Sequence, residues 1–145
     1  MDFENTLRIS GSGMSAQRTW MNVLSSNLAN VNTTRTASGQ PYERRTVVYE
    51  SAPTTDDFNQ VLDDSLQEES QGVKVVNIVS DKRDFRQVYD PGHPDADANG
   101  VVQMPNISSV EEMTNLVIAT RSYEANLTAL NNAKTMALKA LEIGK

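Results

Sequence analysis

All five prolines of the chain, Pro41, Pro53, Pro91, Pro94 and Pro105, fall between positions 41 and 105. Proline lacks a backbone donor and breaks helix interiors. Positions 1–40 and 106–145 are therefore free to form long helices, and the stretch between them is cut into short pieces.

The N-terminal segment carries a heptad. Leu7, Met14, Met21 and Leu28 fall seven apart, Phe3, Leu24 and Val31 fill complementary positions, and Ser10 and Gln17 interrupt. This is a coiled-coil-like stripe. Gly11 and Gly13 sit within it, and each costs roughly 1 kcal/mol in a helix interior. Two readings stay open: the helix starts near Ser12 after a frayed end, or the glycines let another helix come close. The helix is expected to end around Asn30 to Asn32, where asparagine tolerates a left-handed cap.

The C-terminal segment opens on a capping box, Ser108-Ser109-Val110-Glu111, with Pro105 just upstream. Met113, Leu116, Tyr123, Leu127, Leu130, Ala137 and Leu141 follow on heptad spacing, interrupted by Thr120 and Lys134, and Gly144 is a natural stop. A helix over 109–143 would be about 52 Å long at about 1.5 Å per residue. A compact chain of this size is about 40 Å across. Such a helix either kinks or belongs to an elongated protein with neighbours.

The middle has strand composition at Tyr42–Tyr49 and Val73–Val79, with shorter candidates at Phe85–Tyr89 and Val101–Met104. Residues 54–72 read either as a short helix with Phe58, Val61, Leu62 and Leu66 inward or as a mobile loop. The expected fold class is α+β. Long helices over 1–34 and 107–145 pair as a coiled-coil-like stem, and 35–106 form a small β-rich middle domain.

The net charge of −6 is unevenly placed. Residues 1–40 hold two acids and three bases, 41–105 thirteen acids and six bases, and 106–145 four of each. No basic stripe for nucleic acid exists. Electrically neutral ends can pack on copies of themselves, leaving the acidic middle outward. There is no cysteine, so disulfide and thiolate chemistry are excluded. Apolar runs are too short for a membrane span or a cleavable signal peptide, which taken alone points to the cytoplasm.

Residues 89–100, YDPGHPDADANG, hold the one histidine. Asp95, Asp97, Asn99 and Gly100 match the first half of a calcium loop. The glutamate required at position twelve is replaced by Asn106. Asp, Asn, Gly and Pro are also turn formers, and Pro91-Gly92 and Asn99-Gly100 are turn dipeptides. His93 has no second metal ligand of its kind and Pro94 follows it. The stretch reads as a shaped loop without metal, cofactor or catalysis. The acid pairs Asp56-Asp57, Asp63-Asp64 and Glu68-Glu69 read as a solvated face.

Three stretches together resemble one family. Ser25–Thr36, SSNLANVNTTRT, is similar to the N-terminal signature of bacterial flagellar rod and hook proteins, and Arg121–Lys145 to their C-terminal helix. Val88–Ile107 narrows the likeness to subunits of the proximal rod, with Val101 where relatives often carry tyrosine. The resemblance implies a structural protein, not an enzyme. Its terminal helices would line a hollow helical tube that crosses the periplasm and transmits torque. It also implies export through the flagellar type III apparatus without a cleaved signal, which replaces the cytoplasmic reading. The implied partners are copies of itself, other rod subunits and the basal-body adaptor, with no nucleic acid and no membrane insertion. The expected assembly surface comprises Leu7, Met14, Met21, Leu24, Leu28 and Val31 with Met113, Leu116, Tyr123, Leu127, Leu130 and Leu141. The alternative from another class is a calcium-responsive adaptor with a helical oligomerisation stem.

Overall fold

The computed structural model describes residues 3–53 and 71–143. Their order is α1 (Phe3–Ala29), β1 (Arg45–Pro53), β2 (Gln71–Ser80), β3 (Arg86–Tyr89), β4 (Val101–Met104) and α2 (Ser109–Ile143). The class is α+β. β1 pairs with β2 and β3 with β4, giving two separate two-stranded sheets. The stretch 54–70, with its four apolar residues and its acid pairs, lies outside the described residues. No described helix is long and apolar enough to cross a membrane.

α1 begins at Phe3 and runs through both glycines, so the start near Ser12 is overturned. Packing outweighs the intrinsic cost of glycine here, as tertiary contacts commonly do for marginal helices. α1 ends at Ala29 without a left-handed cap, since among the described residues only glycines have positive φ. Asn30 ends it differently, its side-chain Nδ2 donating to the Ser26 carbonyl at 2.8 Å. The start of α2 follows its capping box. Ser108 Oγ accepts from Glu111 N at 3.4 Å, and the Ser108 carbonyl accepts from Glu112 N at 3.0 Å.

Two compact units divide the chain. Met1–Thr19, Tyr49–Val76 and Ala119–Lys145 form one, and Trp20–Val48 with Asn77–Ile118 the other. In the first, Ser12 Oγ donates to the Ile9 carbonyl at 2.8 Å and accepts from Val73 N at 3.2 Å, tying α1 to β2. Among its described residues, Ala16, Ala119 and Ala133 are buried apolar ones. In the second, β3 and β4 form an antiparallel hairpin with Val88 opposite Val102. Val23, Leu24, Tyr42, Val47, Val102 and Ile107 are buried there.

The inward face of α2 is a stricter heptad than its apolar residues suggest. Glu112, Leu116, Ala119, Tyr123, Asn126, Leu130, Ala133 and Ala137 alternate steps of four and three, and every one is buried or half-buried. Small and polar side chains at 112, 119, 126 and 133 hide this seam from a search for large apolar residues. Met113, Leu127 and Leu141 lie off it and are exposed.

Candidate assembly site and the buried polar knot

The second unit is organised around Glu112. Both glutamates 111 and 112 sit in the first turn of α2, where carboxylates favour the helix dipole. One step of helix rotation separates their fates. The Glu112 side chain is 0% exposed and that of Glu111 44%. Glu112 Oε1 accepts from Arg44 Nε at 2.7 Å, and Oε2 accepts from Asn27 Nδ2 at 2.8 Å. Arg44 also reaches Asp81 at 3.3 Å and Glu111 at 3.8 Å.

Asn27, fully buried in α1, uses every polar atom it has. Its Nδ2 donates to Glu112 and, at 2.8 Å, to the Arg45 carbonyl. Its Oδ1 accepts from Arg45 N at 2.9 Å and from Tyr42 Oη at 3.2 Å. The amide thus replaces a neighbouring strand for Arg45. Asn106 does the same one residue earlier. Its Oδ1 accepts from Arg44 N at 2.8 Å, and its Nδ2 donates to the carbonyls of Asp81 and Arg83 at 3.0 and 2.9 Å. Buried polar groups are tolerated only when paired, and this set is.

Electrostatics follow from the same geometry. Burial acts to lower the Arg44 pKa, but the hydrogen bond and charge of Glu112, with Glu111 and Asp81, raise it above its ordinary value. Burial acts to raise Asp81. The backbone N–H and guanidinium of Arg83, with Arg44, outweigh it and hold Asp81 below the usual carboxylate range.

The same contacts account for the polar signature of residues 25–36. The Ser26 carbonyl caps with Asn30, Asn30 Oδ1 accepts from Thr33 Oγ1 at 3.1 Å, and the Thr33 carbonyl accepts from Tyr42 N at 3.1 Å. Thr34 Oγ1 donates to Asp95 Oδ2 at 2.7 Å, anchoring the 89–100 loop.

That loop closes on itself. Asp90 Oδ1 accepts from Gly92 N at 3.1 Å, His93 Nδ1 from Asp95 N at 3.1 Å, and Asp97 Oδ1 from Asn99 N and Val101 N at 2.8 and 2.9 Å. The N–H groups of Val101 and Asn99 hold Asp97 below the usual carboxylate range. Gly100 has φ +75, and a Cβ there would lie 3.0 Å from Tyr89 Cε2. Pro91 and Pro94 are exposed on the loop surface. Its carboxylates therefore serve turn N–H groups and Thr34. Among the described residues no group of three His, Cys, Asp or Glu side chains is arranged to hold a metal ion.

Of the apolar residues expected to form an assembly surface, Leu24 is buried in this chain's own core. Leu7, Met14, Met21, Leu28, Val31, Leu116, Tyr123 and Leu130 are half-buried, and Met113, Leu127 and Leu141 exposed. α2 also exposes Val110, Val117, Ile118, Met136 and Leu138. The polar knot of Asn27, Arg44, Asn106 and Glu112 was not among the expected site residues. Asn27 lies within the Ser25–Thr36 signature and Asn106 within Val88–Ile107, whereas Arg44 and Glu112 lie in neither.

α2 leaves a series of large apolar side chains exposed, and the carboxylates of Asp90 and Asp97 in the 89–100 loop are engaged in its turns. Comparison with known proteins identifies the family. The family model for flagella basal body rod proteins matches residues 7–35, and that for the C-terminal region of flagellar basal body rod FlgEFG proteins matches 98–143. The chain is 47% identical to the flagellar basal-body rod protein FlgC of Bacillus subtilis over 97% of each chain. It is 40% identical to FlgC of Salmonella typhimurium over 97% of each, and 37% identical to FlgC of Borreliella burgdorferi over 99% of this chain and 98% of that one. The chain belongs to the flagellar basal-body rod protein family, among the FlgC proteins. It is a structural subunit of the basal body and not an enzyme.

Proposed function

We propose that the chain is a subunit of the proximal rod. Its terminal helices pack with copies of itself and with other rod subunits into a hollow helical tube that transmits torque. One observation carries this reading. α2 turns one seam inward, yet leaves large apolar side chains exposed along its length, Val110 at 76% and Leu141 at 70% among them. A helix that keeps many large apolar side chains in solvent offers them to a neighbour, and a helical tube needs contacts that repeat head to tail. The pairing of α1 with α2 as a stem is supported by Gly13 beside Asn126 in one unit and by Asn27 bonded to Glu112 in the other. The division into helical ends and a β-rich middle, delivery by the type III export apparatus to a periplasmic rod, and a basal-body adaptor as neighbour complete the reading.

On this reading Met113, Leu127 and Leu141 contact neighbouring subunits, and the half-buried Leu7, Met14, Met21, Leu28, Val31, Leu116, Tyr123 and Leu130 complete that surface. Burying one such side chain is worth about 1.5–3 kcal/mol, repeated at every subunit of a lattice. The test is complementation of a strain lacking this protein with Leu127→Asp and Leu141→Asp. Both changes fall on exposed positions, so the purified variants should melt as the parent does. Swimming and complete basal bodies should be lost while secretion of the subunit persists. Reversing Asp63 and Asp64, an acid pair that the sequence alone reads as solvated, to lysine should leave rods normal, because solvated charges contribute little and are screened. Normal rods from both leucine variants would show that the tube is not built on this face.

A further inference from the structure

We infer that Asn27, Arg44 and Glu112 are positioning residues that set the register of α1 against α2 in their unit. This rests on the reading of the chain as a rod subunit, where a repeated lattice needs every subunit in one geometry. A buried ion pair is a poor source of stability, because desolvation offsets most of its attraction. Apolar residues at 44 and 112 would hold the unit together as well. What the charged pair supplies is a penalty for misalignment. Both oxygens of Glu112 and all the polar atoms of Asn27 are engaged, each with a partner of one polarity. A slip of one turn along α2 replaces Glu112 with Ser108 or Leu116, and one along α1 replaces Asn27 with Val23 or Val31. A slip of α2 parts the buried carboxylate from its guanidinium, and a slip of α1 leaves Glu112 Oε2 and the Arg45 peptide without their amide partner, both of which are disfavoured. The apolar side chains of Leu24 and Leu116 impose no comparable rule, because hydrophobic burial is non-directional. A single buried polar position specifies helix register in coiled coils by the same logic.

The chain has no cysteine, so spin labels can be placed on Ser25→Cys in α1 and Thr114→Cys in α2, both exposed. In the parent, pulsed electron paramagnetic resonance on the purified full chain should give one narrow distance peak. The double variant Arg44→Met with Glu112→Leu removes both charges together. It should stay folded, yet show a broadened distribution or a second maximum displaced by about 5 Å, one helical turn. In the deletion strain it should fail to give complete basal bodies. If the double variant does not fold, Glu112→Gln serves, because it sets an amide donor against the Asn27 Nδ2 donor while keeping the shape. It should broaden the peak in the same way. A folded variant with the parent's single narrow peak would overturn the register assignment. A broadened peak with normal basal bodies would instead overturn the assembly reading and leave the register assignment standing.

Discussion

Gly13 of α1 faces Asn126 of α2 so closely that a Cβ on Gly13 would lie 2.9 Å from Asn126 Nδ2, whereas one on Gly11 would meet nothing within 4 Å. Two glycines that look alike in sequence therefore do different work. Gly11→Ala should raise stability by about 0.5–1 kcal/mol, the usual gain for replacing a helical glycine. Gly13→Ala should gain less, because the Asn126 amide must swing aside. Gly13→Val, bulkier and β-branched, should lower stability. Urea denaturation of the three variants gives the ranking, and equal gains at both positions would show that Asn126 does not crowd Gly13.

Asn27→Ala should cost roughly 2–4 kcal/mol, since each buried polar group left without a partner costs about 1–3 kcal/mol. Asn27→Asp should be worse at neutral pH, because it sets a second carboxylate against Glu112. Asn30→Ala, at a half-buried turn position, should cost about 1 kcal/mol or less as a lost cap. Chemical denaturation midpoints decide the order, and an Asn30 variant as damaged as the Asn27 variant would contradict it.

Gly100→Val should cost at least about 1–2 kcal/mol, the penalty for a left-handed conformation without glycine. The added side chain also meets Tyr89 Cε2 at 3.0 Å and Pro91 Cβ at 3.2 Å. Asp97→Ala, which frees two turn N–H groups at the surface, should be milder. Hydrogen exchange at Asn99 and Val101 reports it directly, and unchanged protection there would argue against the turn role of Asp97.

Asp81 and Asp97 both titrate below their ordinary value of 3.8 in the folded chain. The unfolded chain therefore binds more protons as pH falls toward that range. Their contribution is fully present above the unfolded value and is lost as pH drops through the folded one. Stability from these groups should be flat at neutral pH and should decline below about pH 4. Asp81→Asn and Asp97→Asn should each shallow that decline. Arg44, shifted upward, keeps its proton throughout and adds no slope at or below neutral pH. Denaturation midpoints between pH 7 and 3 test the sign, and a steeper acid decline in either variant would reverse it.

Much of this molecule is legible along the chain, where a structural rule is local. The capping box at Ser108, the absence of proline after 105 and the sustained apolar spacing determine α2 from its first residue to the glycine beyond its end. β4 at Val101–Met104 and the positive φ of Gly100 follow from strand composition and an Asn-Gly turn. The signature around Asn27, together with Val88–Ile107 and Arg121–Lys145, is enough to point to the family. Tertiary structure decided the rest. α1 survives Gly11 and Gly13 because packing supplies what propensity withholds. The inward seam of α2 runs through Glu112, Ala119, Asn126 and Ala133, residue types that sequence reading assigns to the surface or passes over. Glu111 and Glu112 are chemically identical neighbours in a first turn suited to both. Only the arrival of Arg44 and Asn27, far away in the chain, makes one of them the buried centre of a unit, because the partners that permit a charge to be buried are set by the fold and leave no mark on the residues beside it.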